Sequence, residues 1–133
     1  MYIGKFHKYA VAGICLVGIQ NDHAAHMVKL ASDALIKKGF KVMIFNAFTD
    51  MYHDTPYSKG EASVYHLINL DIVDVLVIMP ETIKSEWITD TIIRYAHAAK
   101  IPVIMLDGSH NGCTNITYDY GRSLESVVEH VIT

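Results

Sequence analysis

Polar side chains follow the ends of several apolar runs in this chain, where they could hold a small molecule. The first run, residues 10–17, carries no charge, and Gly18 and a polar cluster separate it from a helical pattern. In an open α/β sheet, ligands lie in the crevice outside the carboxyl ends of the strands. The candidate ligand-binding residues at such positions are Gln20, Asn21, Asp50, Glu81, Asp107 and Asp119.

Helix capping is a second interpretation of some of these residues. Asparagine and aspartate are preferred N-cap residues because their side-chain oxygens accept hydrogen bonds from the first helical N–H groups. Asn21 or Asp22 could cap the helix that follows them, and Asp119 could cap the last predicted helix. Capping and ligand binding are compatible, so both interpretations stay open.

Phosphate- and cobalamin-binding motifs are absent from the predicted strand ends. Residues 79–81 read Met-Pro-Glu, whereas a response regulator has a phosphorylatable aspartate at that point. A phosphate-binding loop is rich in glycine or in Ser/Thr, and residues 18–21 are not. Residues 107–112 approach the cobalamin-binding Asp-x-His-x-x-Gly, but the histidine is displaced by one position.

Catalytic and metal-binding patterns are also missing from the sequence. His23 and His26 are three residues apart, yet no Cys, His or carboxylate set completes a tetrahedral site around them. No serine lies in a nucleophile-elbow motif, and neither cysteine has an activating partner nearby in sequence. We therefore expect a non-catalytic protein without a metal or cofactor.

Apolar runs alternate with helical patterns along the whole chain, which predicts a doubly wound parallel sheet in three α/β/α layers. The uncharged runs favour central strands, because such strands are covered by helices on both faces. The expected strand order is 2-1-3-4-5. The predicted strands are 10–17, 41–45, 74–80, 101–106 and 115–118, and the predicted helices are 23–38, 59–68, 85–99 and 119–132.

The same patterns predict which side chains form the core. In the helix at 85–99, helical spacing places five residues on the inward face: Ile88, Ile92, Tyr95, Ala96 and Ala99. The predicted core elsewhere comprises Ile14, Leu16, Val28, Val42, Ile44, Val75, Val77, Ile104 and Val128.

Composition sets the class of protein. The chain has 133 residues, of which 51% are hydrophobic and 19% charged, which suits one globular domain. Its net charge of −3 and scattered lysines predict no nucleic-acid contact. Cys15 and Cys113 read as reduced thiols, hence a cytoplasmic location. No run is long enough to span a membrane, and residues 1–8 lack the apolar core and small-residue cleavage site that are typical of a signal peptide.

Several segments resemble LacI-type sensor domains of the type I periplasmic-binding-protein fold. Residues 101–107, Ile-Pro-Val-Ile-Met-Leu-Asp, resemble that family's "IPVVxID" strand. Residues 116–119 and 129–132 match its "V-x-x-D-N … E-H-L-I" segment without a gap. Residues 38–42 resemble its "xxGYxV" and residues 71–78 its "xxVDGIIL". The resemblance implies a ligand-sensing domain.

A narrower resemblance is to the LacI-like input domains of bacterial signalling proteins such as diguanylate cyclases. Residues 45–48, Phe-Asn-Ala-Phe, match the "F-N-x-F" of those domains, and residues 59–70 are similar to their "K-G-E-x-x-I-F-x-L-x-N-L". The family's aromatic loop "N-P-F-F" is here Asn-Asp-His-Ala at 21–24, so a stacked sugar is not predicted as the ligand.

Chain length relative to that family implies one lobe. The family continues beyond the position of Ile132 into a second lobe, so residues 1–133 correspond to the N-terminal lobe, without second lobe or output domain. If Met1 is the native start, an output domain would follow the sensor. A ligand held between lobes would find half of its contacts here.

Self-association is the last expectation. LacI-type sensors pair through their N-terminal lobes, which implies a homodimer. The helix at 59–68 carries apolar residues around most of its circumference, and we expect Tyr65→Glu or Leu67→Glu to break the dimer. The predicted function is a small-molecule-sensing input domain of a bacterial transcriptional regulator or signalling protein. The alternatives are a small standalone α/β enzyme and a dimerisation module without ligand.

Overall fold

A computed structural model describes residues 9–47, 65, 68, 70–116 and 129. Strands and helices alternate through most of this part, as the uncharged runs and amphipathic segments predict. The strands are β1 (Val11–Val17), β2 (Lys41–Ala47), β3 (Val75–Ile78), β4 (Val103–Leu106) and β5 (Thr114–Ile116). The helices are α1 (Asp22–Lys37), α2 (Pro80–Ile83) and α3 (Glu86–Ala98).

The five strands form one parallel sheet in the order β2-β1-β3-β4-β5, which confirms the predicted topology. β1 lies between β2 and β3, with Ile14 paired to Ile44 on one side and to Val77 on the other. All seven residues of β1 are buried, as are all four residues of both β3 and β4. A strand that is covered on both faces needs no polar alternation, so these sequences are continuous apolar runs.

The helices cover opposite faces of the sheet. The inner face of α1 packs on the even-numbered residues of β1, such as Ile14 and Leu16. The inner face of α3 contributes Ile92 and Ile93 to the other face, where Cys15 and Leu76 lie. Lys38, at the end of α1, pairs with Glu129 at 3.3 Å between Nζ and Oε2, so residue 129 lies beside α1.

Both long helices end in the same backbone motif. After α1, Gly39 has a φ of 93°, and the N–H of Phe40 donates to the carbonyl of Leu35. After α3, Lys100 has a φ of 62°, and the N–H of Ile101 donates to the carbonyl of Ala96. These bonds satisfy carbonyls that have no partner inside the helix, and they turn each chain back toward the sheet.

Most of the predicted core is confirmed, with two corrections. Ile44 is 44% exposed, because β2 is an edge strand and only part of it is covered. Tyr95 is 62% exposed, and Ile93 is buried in its place on the inner face of α3. Val42 is half-buried against the core. The predicted core residues that are buried are Ile14, Leu16, Val28, Val75, Val77 and Ile104, while Val128 lies outside the described residues.

Two further predictions concern regions where few residues are described. The predicted helices at 59–68 and 119–132 fall largely outside the described residues. Within 59–68, Tyr65 is buried and its hydroxyl donates to the carbonyl of Leu16 at 2.6 Å. Tyr65→Glu would therefore damage the core, so the expectation that it probes a dimer surface is wrong. Among the described residues, no helix combines the length and apolarity needed to cross a bilayer.

Candidate ligand-binding edge

The loop after β1 is held by hydrogen bonds to its neighbours in the sheet. Gly18 has a φ of 81°, a conformation that L side chains rarely adopt, and its N–H donates to the carbonyl of Ala47. The next N–H, of Ile19, donates to Oδ1 of Asn46 at 3.0 Å. The end of β2 therefore fixes the backbone that leads into Gln20 and Asn21.

Asn21 occupies the N-cap position of α1, but its side chain makes no capping hydrogen bond. The amide instead lies against Gly18, where an added Cβ would come within 2.7 Å of its Nδ2. Asn21 therefore occupies the predicted N-cap position, but the prediction that its side chain caps the helix is wrong. An exposed amide that does not cap its helix can bind another group.

Thr82 joins the loop after β3 to the end of β1. Its Oγ1 accepts a hydrogen bond from the N–H of Val17 at 3.0 Å and donates to the carbonyl of Met79 at 2.7 Å. The N–H of Met79 in turn donates to the carbonyl of Cys15. Glu81, next to Thr82 in α2, is exposed. These bonds hold the short helix α2 beside the loop that carries Gln20 and Asn21.

The loop after β4 lies directly against α2. A Cβ at Gly108 would come within 2.4 Å of Cγ of Pro80, so only glycine fits there with the present backbone. Asp107 has a φ of 61° although it is not glycine, and its N–H donates to the carbonyl of Ile116 at 2.7 Å. Aspartate tolerates this left-handed conformation better than most residues, and such backbone outliers concentrate at functional sites.

We call the loop 18–21, helix α2 and the loop 107–113 the carboxyl edge. Four of the six candidate residues are described, and each lies in one of these segments. Gln20, Asn21 and Glu81 are exposed, whereas Asp107 is half-buried. Convergence of these side chains on one ligand stays a prediction. Asp50 and Asp119 lie outside the described residues.

The six predicted candidates do not include Asn46 and Thr82, which position the edge. Their bonding partners are 27 and 65 residues away in the chain, so no local pattern identifies them. Their position in the sequence could have identified them, because each is a polar residue at the carboxyl end of an apolar strand.

A cavity of about 350 Å³ lies on the α3 side of the sheet. None of the four described candidate residues is among its lining residues, so it is separate from the carboxyl edge. Trp87 and Tyr95, both on α3, are 73% and 62% exposed. The residues that line the cavity are Tyr65, Ile68, Leu70, Leu76, Trp87, Ile88, Thr91, Ile92 and Tyr95.

Both cysteines are free thiols. Burial raises the pKa of the Cys15 thiol, which is enclosed in β1, and burial also raises the pKa of the half-buried Cys113 thiol. The thiolate is the nucleophilic form of cysteine, so these shifts disfavour a nucleophilic role. Within the described ranges, no three His, Cys, Asp or Glu side chains are grouped as a metal site would require.

Comparison with solved structures shows the fold. A crystal structure of an ABC sugar transporter subunit from Rhodobacter sphaeroides 2.4.1 is similar over 78% of this chain, with a TM-score of 0.59 and 11% sequence identity. The matched region is 33% of the transporter subunit, so this chain spans about a third of its length. The chain matches no protein-family model and no curated protein sequence. This likeness and the sheet order show a doubly wound α/β fold with a five-stranded parallel sheet.

Proposed function

We propose that this chain is a non-catalytic ligand-binding lobe that takes a small polar molecule at the carboxyl edge. The observation that carries the proposal is the set of contacts that joins the three segments of the carboxyl edge. Thr82 bonds to β1, and Pro80 packs against Gly108, so α2 lies between the loop after β1 and the loop after β4. A backbone held in this way fixes the points from which the polar side chains extend, which lowers the entropy cost of binding.

The residue types indicate the chemistry of the ligand. The carboxylates of Glu81 and Asp107 only accept hydrogen bonds when ionised, whereas the amides of Gln20 and Asn21 both donate and accept. The complementary ligand carries several donors, such as hydroxyl or amino groups. A polyol or an amine-bearing metabolite fits this pattern better than a polyanion, which two carboxylates would repel.

A role in signalling follows from the resemblance to LacI-type sensors. In the proposal, the lobe belongs to a cytoplasmic regulator or signalling protein, for example a diguanylate cyclase, and binding of the ligand sets the output. The raised pKa values of both thiols support a binding role over covalent catalysis.

The test is a thermal-shift screen of the purified chain against millimolar sugars, polyols, amino acids and polyamines. A compound at a hundredfold its dissociation constant stabilises the folded state by about 2.7 kcal/mol. Asn21→Ala and Asp107→Asn should abolish the shift. Asp33→Asn is the matched control, because Asp33 is exposed near the other end of α1 and should keep the full shift.

Two outcomes would contradict the proposal. The carboxyl edge is not the site if a binding compound gives the same shift with all of the edge variants. Ligand binding by this lobe fails if no compound of these classes shifts a sample that unfolds cooperatively.

We also propose that the chain forms a homodimer through the exposed face of α3. Trp87 and Tyr95 are exposed aromatic side chains of α3 that border the same cavity, and exposed apolar patches often mark protein–protein contacts. The cavity beside them gives a partner side chain a place to insert. Pairing of LacI-type sensors through their N-terminal lobes supports the same conclusion.

A further inference from the structure

We propose that the contact between the His110 ring and Asp90, called the latch below, holds the loop 107–113 against α3 and depends on protonation of the ring. The loop begins at Asp107 and returns the chain to the sheet at β5. The His110 ring extends from this loop to Asp90 of α3. This inference concerns the loop itself, and it stands whether or not the carboxyl edge binds a ligand.

Both ring nitrogens of His110 face hydrogen-bond acceptors. Nε2 lies 2.9 Å from Oδ1 of Asp90 in α3, and Nδ1 lies 2.8 Å from the backbone carbonyl of Asn111. A neutral imidazole has one N–H, so it can donate to only one of these oxygens. The imidazolium has two N–H groups and donates to both. Only the cation therefore donates to both acceptors at once.

The backbone around His110 holds the ring in this orientation. The N–H of His110 donates to Oδ1 of Asn115 at 3.1 Å, and its carbonyl accepts from the N–H of Cys113. These bonds lie within the segment from 110 to 115 and do not depend on the charge of the ring. The bond from His110 to Asp90, by contrast, joins the loop to α3.

A test of the latch must separate the effect of His110 from the effects of the other titratable groups nearby. His97, on α3, contacts the loop at Gly112, where an added Cβ would lie 3.3 Å from its Cε1. Asp107 and Cys113 are the titratable side chains of the loop itself. Asp90, by contrast, contacts the His110 ring directly.

The sign of the pH dependence follows from the charges. Deprotonation removes the positive charge that faces the Asp90 carboxylate and leaves one N–H for two acceptors, so the contact with α3 weakens as the pH rises. Since both groups are partly exposed, we expect a twofold to fivefold change in loop opening.

Two measurements on the ligand-free chain test the latch. Long-range ¹H–¹⁵N spectra of the imidazole rings report whether both nitrogens of His110 carry protons at pH 5.5. Amide hydrogen exchange across 107–113, corrected for the intrinsic rate, should slow twofold to fivefold at pH 5.5 relative to pH 8. His110→Gln and Asp90→Asn should remove this difference, and His97→Gln should retain it.

The proposal is overturned by any of three results. The first is a neutral His110 ring at pH 5.5 while the loop remains protected. The second is protection of wild-type amides that does not change with pH. The third is loss of the difference in His97→Gln with retention in His110→Gln, which would assign the titration to His97. Because no ligand is present, these results are independent of the proposed function.

Discussion

Gly108 is the residue at which the carboxyl edge is packed most closely. Its φ is not positive, so glycine is not needed there for backbone conformation. Space is the constraint, because the Pro80 ring would lie 2.4 Å from an added Cβ and a proline ring cannot rotate away. We expect Gly108→Ala to destabilise the fold by about 1–3 kcal/mol, as overpacking usually does.

A double-mutant cycle with Pro80 checks this cause. Urea unfolding of Gly108→Ala, Pro80→Ala and the double variant gives the coupling between the two sites. The cost of Gly108→Ala should fall in the Pro80→Ala background, since the ring atom in closest contact is then absent. An equal cost in both backgrounds would mean that the ring is not what excludes a side chain.

The two N-cap residues make opposite predictions about stability. Ser85, the N-cap of α3, accepts a hydrogen bond from the N–H of Ile88, whereas Asn21 makes no such bond at the start of α1. Ser85→Ala should cost about 1 kcal/mol, and Asn21→Ala should change the free energy of unfolding by less than about 0.5 kcal/mol. Chemical denaturation of both variants measures the difference. A large loss in Asn21→Ala would assign that side chain a structural role and weaken its assignment to a ligand.

Sequence alone predicted part of the residue-scale picture. It located the polar positions at the carboxyl ends of β1, β3 and β4 because uncharged runs end there. It could not show that Asn21 leaves its helix uncapped, since the same residue type suits both uses. Nor could it show that Thr82 bonds to β1, because that partner is 65 residues away and is a backbone group, which any residue provides.

Strand position in the sheet is an element-scale property that decides which substitutions the fold tolerates. Val77 is fully buried in β3, with β1 and β4 on either side. Val77→Asp should prevent soluble folding, because an unpaired buried charge costs several kcal/mol. Ile44→Asp is the matched control, since Ile44 is 44% exposed on the edge strand β2 and its carboxylate could reach water. Soluble yield and far-UV circular dichroism measure both.

Equal outcomes for the two variants would contradict the strand order. If Val77→Asp folded normally, β3 would not be a central strand. If Ile44→Asp failed to fold, β2 would be covered in the native protein.

Two element-scale errors of the sequence analysis, at Ile44 and Tyr95, share one physical origin. Apolar spacing shows which face of a helix or strand is apolar, but it does not show how far the neighbouring elements extend over that face. Tyr95 has the right spacing for the core, yet it lies beyond the edge of contact and Ile93 is buried instead. α2 was missed because its four residues are too few to show a helical period.

At the scale of the whole molecule, the carboxyl edge and the exposed aromatic face of α3 lie at different places around the sheet. The carboxyl edge is polar and lies at the strand ends. The exposed aromatic face of α3 lies on one flank, beside a cavity lined mainly by apolar side chains. Their separation allows the proposed ligand binding and the proposed self-association to coexist.

Self-association has a direct test at this scale. We expect the wild-type chain to be dimeric in light scattering at micromolar concentration, with Trp87→Glu and Tyr95→Glu monomeric because each puts a charge into an apolar interface. Ile36→Glu is the matched control: Ile36 is an apolar side chain, 58% exposed, on α1 across the sheet from α3. That variant should remain dimeric. Dimers that persist in both α3 variants and dissociate in Ile36→Glu would move the interface to α1. A monomeric wild-type chain would contradict the proposed homodimer.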